Sequence, residues 1–147
     1  MTPEQLMKRA LREYFEPEVT MNRDRRQGVV GEWVRLTFGT QSDRVERARR
    51  LLEETAELVQ ACGLDETEAV RIVAHVFKGP PGEVLQEAGG VGMTLLALAA
   101  SFPFSADAAE RAELYRVLAL KPEHFRQRHA FKSAAGIAAP VKKETDK

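Results

Sequence analysis

Five glutamates carry most of the chemistry this chain could perform. Glu54 and Glu57 are three residues apart, so on a helix their carboxylates share a face, and Glu53 adjoins them. Glu83 and Glu87 stand four apart and continue through Gly90 and Thr94 as one helical stripe, in a segment otherwise made of Val, Leu, Met, Ala and Gly. A carboxylate in so apolar a segment is costly to bury unless it is paired or bound to a cation. Helical bundles build divalent-metal sites from carboxylates that two helices direct into a shared space. Oxygen-only ligands of this kind select Mg²⁺, or Mn²⁺ in its place, over zinc. The plain alternative for the first pair is a solvated outer face, with Arg50 and Glu54 forming an i,i+4 ion pair.

These residues need helices to position them, and the sequence supplies helix signals throughout. Thr2, Pro3 and Gln5 form a capping box, followed by Leu6, Met7, Ala10, Leu11 and Tyr14 at helical spacing. Residues 16–28 are polar and irregular and read as a linker arm, in which Arg23, Arg25 and Arg26 form a solvated charge run. Val30, Trp33, Val34 and Phe38 suggest a short helix that ends at Gly39, although the β-branched content also allows a strand. Asp43 with Glu46 begins a helix over 43–62 that stops at Gly63, with Val45, Ala48, Leu52, Ala56 and Val59 on its apolar stripe. Glu54 and Glu57 lie roughly opposite that stripe. Asp65 with Glu68 opens the next helix, which Gly79-Pro80-Pro81-Gly82 ends. The following helix, 82–100, is apolar on nearly every side and should sit centrally, packed all round. Further helices are expected at 106–119 and 122–131. The chain thus reads as a helix and linker arm over 1–28, an all-α helical bundle over 29–132, and a flexible tail over 133–147.

The composition fits that architecture and narrows the function. A content of 44% hydrophobic and 30% charged residues is that of a globular protein rather than a disordered one. The 22 Lys+Arg balance the 22 Asp+Glu, so no global field favours nucleic acid or an anionic membrane. The charged start and the short apolar run 88–100 predict neither a signal peptide nor a membrane span. The lone Cys62 excludes an intramolecular disulfide and suits a reducing cytoplasm, and with no histidine nearby in sequence it does not read as a nucleophile. His124 and His129 are five apart and share no helical face, which argues against a zinc pair. Gly89, Gly90 and Gly92 lie within a helix and lack a P-loop's strand and lysine; they suit close helix packing.

Glu53-Glu54-Thr55-Ala56-Glu57-Leu58, followed later by Glu87-Ala88-Gly89-Gly90-Val91, resembles the paired acidic motifs of the MazG-like all-α nucleoside triphosphate pyrophosphohydrolases, ExxE on one helix and ExxD on a later one. The segments 43–61 and 82–91 also resemble a phage and bacterial MazG-like branch, and the likeness covers about residues 30–130. It implies a helical bundle that dimerises or tetramerises and a Mg²⁺-dependent cleavage of an NTP or dNTP to the monophosphate and pyrophosphate. On this resemblance Glu54, Glu57 and Glu87 are metal ligands. Gly90 departs from it, standing where the family has aspartate, and a glycine side chain ligates nothing. Either Glu83, one turn before Glu87, supplies the missing carboxylate, or metal binding is weakened.

In the mechanism this implies, the bound metal bridges phosphate oxygens, and Glu53 or Glu83 orients or deprotonates the attacking water. Lys78, Arg126, Arg128 and Lys132 are candidates to neutralise the outer phosphates, although each taken singly reads first as a plain surface charge. The family's base pocket is aromatic, so Trp33 and Phe38 are stacking candidates, with membership of the core as the alternative. The apolar 82–100 helix has limited cover within one chain of this size, which predicts burial against another subunit. The competing reading is a helical oligomer that has lost full metal ligation at Gly90 and binds nucleotide or a protein partner.

Overall fold

Capping chemistry sets most helix boundaries. The computed structural model describes residues 2, 5, 8, 9, 22–39 and 43–141, and among these every regular element is an α-helix. The helices are α1 (Arg23–Phe38), α2 (Arg44–Ala61), α3 (Glu66–Phe77), α4 (Val84–Ala100), α5 (Ala106–Ala119) and α6 (Pro122–Ala134). None of the described helices is long and apolar enough to cross a membrane. Asp43 Oδ1 accepts from the backbone N–H of Val45 and Glu46 at 3.0 and 3.2 Å, and Asp65 Oδ1 from that of Glu68 at 2.8 Å. At the end of α2, Gly63 takes φ 96° while its N–H and that of Leu64 close onto Gln60 and Val59 carbonyls, a Schellman stop that favours glycine. Thr2 and Gln5 make the expected reciprocal cap, with bonds of 2.7 and 3.1 Å. The apolar run expected after it, from Leu6 to Tyr14, lies outside the described residues.

Residues 23–28 correct the linker reading, because α1 starts at Arg23 rather than near Val30. Asn22 caps it, its Oδ1 accepting from Arg25 N at 2.9 Å. Arg26, read as part of a solvated run, is only 4% exposed. Its guanidinium donates to Glu110 at 2.8 Å and pairs with Asp107 at 2.7 Å, both on α5. Burial works against the guanidinium charge, but hydrogen bonds to Glu110 and Asp107 outweigh it and raise the pKa above the ordinary arginine value. The polar first turns of α1 are therefore held by ion pairs that no hydrophobic pattern announces.

The chain divides into two compact units. The first comprises Met1–Arg47 and Asp107–Lys147. In it α1 lies alongside α6. Val29 and Leu118 are buried together, with Trp33 and Leu114 packed against them. Trp33 also meets Phe125 and Phe38 edge-on, at centroid distances of 4.9 and 5.8 Å. After α6, Gly136 (φ 77°) makes a second Schellman turn. The chain then runs to Ala139, whose N–H donates to Glu46 Oε2 at 2.8 Å. The expected tail is thus fastened as far as Ala139, and residues 142–147 lie outside the described residues.

The second unit, Ala48–Ala106, holds most of α2 with α3 and α4. Among its described residues these helices make no extended approach to one another, and only Ala99 is buried. Two expectations are corrected here. Among the described residues the 82–100 helix is not packed all round. Of the stripe on α2, Leu52 stays 54% exposed and Ala48 and Ala56 are exposed too, while the polar residues Arg50 and Glu53 on another side are half-buried. Periodicity marks these faces as apolar, and the described residues do not cover them.

The ion-pair cluster yields a stability ranking. Replacing both Asp107 and Glu110 by Ala removes these two partners from a buried guanidinium and should cost about 3–5 kcal/mol. Arg26→Ala only releases two carboxylates that water already reaches, and should cost about 1–3 kcal/mol. Urea denaturation followed by circular dichroism measures both, and equal losses would show that burial of the charge is not what matters.

Candidate functional site

The expected metal-site carboxylates all fall in the second unit, on or next to α2 and α4. Glu53 is half-buried, and its carboxylate accepts from Arg50. This replaces the expected Arg50–Glu54 pair: Arg50 and Glu53 share the half-buried side of α2, whereas Glu54 faces solvent. Glu54 and Glu57 are exposed. Glu83 is the N-cap residue of α4, but its side chain makes no capping bond; its carbonyl accepts from Glu87 N at 2.9 Å. Glu87 is exposed and folds back over Gly82, where an added Cβ would lie 2.3 Å from Glu87 Oε1. A side chain at position 82 would displace Glu87, so Gly82 permits this arrangement. At Gly90 a Cβ would meet nothing within 4 Å. Neither Gly89 nor Gly90 serves close helix packing within one chain.

Glu54, Glu57, Glu83 and Glu87 have no ion pair among the described residues, and in that respect they are open to a cation. They do not converge: no group of three or more His, Cys, Asp or Glu side chains among the described residues could hold a metal. The described residues of one chain therefore do not gather a Mg²⁺ or Mn²⁺ ligand set.

The expected substrate-binding cations divide by role. Arg126 is occupied: its Nε donates to Thr37 O at 2.8 Å and its Nη2 to Leu36 O at 3.4 Å, closing the carbonyls at the end of α1. Arg128 is exposed and adds its charge near Glu113, whose carboxyl is held below the usual range chiefly by hydrogen bonding from Arg116. Lys132 is half-buried on α6, and Lys78 is exposed at the end of α3. Trp33 and Phe38 pack in the first unit, Trp33 against its core and Phe38 between Trp33, His129 at 6.0 Å and the Arg47 guanidinium at 4.9 Å. That arrangement is the core alternative for Trp33.

Sequence reasoning missed Glu46 except as a capping partner. It is 3% exposed, accepts from Ala139 N, and has Oε1 3.7 Å from His129 Nδ1. A carboxylate three residues after an N-cap usually looks outward or back to the cap. Nothing in the local pattern reveals that the chain end and α6 close over it.

No protein-family model, curated protein or solved structure matches this chain. The functional reading therefore rests on the residues themselves.

Arg126 separates structural from substrate roles. Arg126→Ala should lower stability by about 1–2 kcal/mol, the scale of lost charge-assisted bonds at a helix end, and leave KM for a nucleotide unchanged. A higher KM with an unchanged melting midpoint would return Arg126 to a substrate site.

Proposed function

We propose that this chain is a nucleoside triphosphate pyrophosphohydrolase of the MazG-like class. It would cleave an NTP or dNTP to the monophosphate and pyrophosphate with Mg²⁺ or Mn²⁺, as a homodimer or homotetramer in the cytoplasm. One observation carries this reading. Three exposed carboxylates, Glu54, Glu57 and Glu87, occur in the order and spacing of the two acidic motifs with Glu83 one turn before Glu87, and none of the four has an ion pair among the described residues. A triphosphate carries about four negative charges and arrives as its divalent-cation complex. Exposed carboxylates complement that cation and repel the free anion. Since the described residues of one chain do not gather them, the reading requires that they converge on assembly or around the arriving complex.

A second reading draws on Gly90 and on the same lack of convergence: a helical oligomer that binds nucleotide or a protein partner without turning it over. Pyrophosphate release from a panel of NTPs and dNTPs, with Mg²⁺ and with Mn²⁺, separates the two. Silence across the panel from well-folded protein selects the second.

If the first holds, Glu54→Gln, Glu57→Gln and Glu87→Gln should each lower kcat/KM at least ~100-fold, the scale of losing a positioned catalytic group. Their melting midpoints should change little, because the replaced groups are exposed. Near-normal turnover in two of them would refute the site.

Glu83 and Gly90 form a coupled test. If Glu83 replaces the missing carboxylate, Glu83→Gln should weaken Mg²⁺ or Mn²⁺ binding as much as Glu87→Gln does, and Gly90→Asp should not improve it. If Glu83 serves only the helix dipole, its loss should cost no more than ~1 kcal/mol of stability. Gly90→Asp, which meets no steric obstacle, should then tighten metal binding. Metal titrations of both variants distinguish the outcomes.

A further inference from the structure

Helix α4 has three faces. At 100° per residue, Glu83, Glu87, Gly90 and Thr94 form one stripe, and Gly92, Leu95 and Ala99 a second. Leu85, Gly89, Met93, Leu96 and Ala100 form a third, about 90° from the second and about 130° from the first, and Val84, Val91 and Leu98 lie between the first two. Shielding falls on the second and beside it: Ala99 is buried, and Gly92, Leu95 and Leu98 are half-buried. The third is open, with Leu85 87% and Met93 70% exposed. Helix α3 repeats the pattern. Its apolar face of Val70, Val73, Val76 and Phe77 is exposed, while Glu68, Arg71 and His75 occupy the other side.

We infer that the open apolar faces of α3 and α4 are the interface with a second copy of this chain, and that the Glu83–Glu87–Thr94 stripe stays outside it. This specifies the face used by the assembly named above, and it holds whether or not the carboxylates act on nucleotides.

The area suits a stable homodimer. Seven large apolar side chains on these two faces, Val70, Val73, Val76, Phe77, Leu85, Met93 and Leu96, are 40% exposed or more. At about 100 Å² apiece they present roughly 700 Å² per copy, so two copies would bury roughly 1,400 Å², within the range of specific, stable interfaces. The chemistry suits self-association. The third stripe of α4 contains no charged residue that would select a foreign partner. The formal net charge is zero, so two copies do not repel one another. A twofold contact sets an apolar stripe against itself, the self-complementary arrangement of cyclic dimers. Gly89, around which a Cβ would meet nothing within 4 Å, leaves room for a facing helix to approach.

Sedimentation velocity of the full chain across 1–50 µM tests this. The expected result is a dimer or a multiple of dimers, with an unfolding midpoint that rises with chain concentration. Met93→Glu and Val76→Glu should each weaken self-association at least ~100-fold while helical circular dichroism persists, because each places a charge in an apolar contact. Arg71→Glu, on the other side of α3, should leave it intact. A monomer at tens of micromolar with a concentration-independent midpoint would overturn the proposal, as would a Met93→Glu variant as dimeric as the parent. Isolation as a stoichiometric complex with another protein, without self-association, would also overturn it. Should both charged variants fail to fold, the concentration dependence of the parent's midpoint decides alone. An inactive but dimeric protein would defeat the pyrophosphohydrolase reading and leave this one standing.

Discussion

Water must be removed from the apolar faces of α2, α3 and α4, and the described residues of one chain do not remove it. A short helix is marginal in water, and its stability comes from burying an amphipathic face rather than from its own hydrogen bonds. Well-made ends, such as Asp65 at the start of α3 and the Gly63 turn after α2, fix where these helices begin and stop. They contribute about 1 kcal/mol each, too little to offset the conformational entropy of a dozen ordered residues. The free energy that keeps α3 and α4 helical has to come from surfaces brought against Phe77, Leu85 and Met93. A second copy, as proposed above, would bring them.

The first unit solves the problem differently. Its apolar core is small, Val29 and Leu118 with Trp33 and Leu114 against them. Polar fastenings surround that core. Arg26 joins α1 to α5, Arg126 closes the end of α1 from α6, and Glu46 holds the backbone after α6. Each is a charged group whose desolvation is offset by two or more directed contacts or by a backbone donor, the condition under which buried charge is tolerated. Such contacts also fix one arrangement of α1, α5 and α6, since a guanidinium is satisfied only where its acceptors lie in the right directions.

The same division sorts the chain's glutamates. Glu46, Glu53 and Glu110 are spent on internal pairing, whereas Glu54, Glu57, Glu83 and Glu87 remain open to solvent. A carboxylate already bound to arginine is a poor partner for a cation, and one facing water is a ready partner. The site proposed for nucleotide chemistry is therefore made of the residues the fold does not use. The three-faced character of α4 keeps those carboxylates on a side separate from the apolar stripe, so covering the one need not block the other.

The sequence by itself determined the helices, their caps and the apolar faces, because these depend on residues within a few positions of one another. Asp43, Asp65, Gly63 and the 106–119 and 122–131 helices were all legible for that reason. It also placed Glu54, Glu57, Glu83 and Glu87 on helical stripes, since spacing alone fixes a helical face. Only the tertiary structure decided that Arg26 is buried, that Arg126 serves a helix end, that Arg50 takes Glu53 and that Glu46 meets Ala139. Most of these join residues more than eighty positions apart, and even Arg50, with two glutamates in reach, is assigned by which side of α2 is shielded. The covering of α3 and α4 lies beyond both, because periodicity marks a face as apolar without naming its neighbour, and the neighbour is not among the described residues.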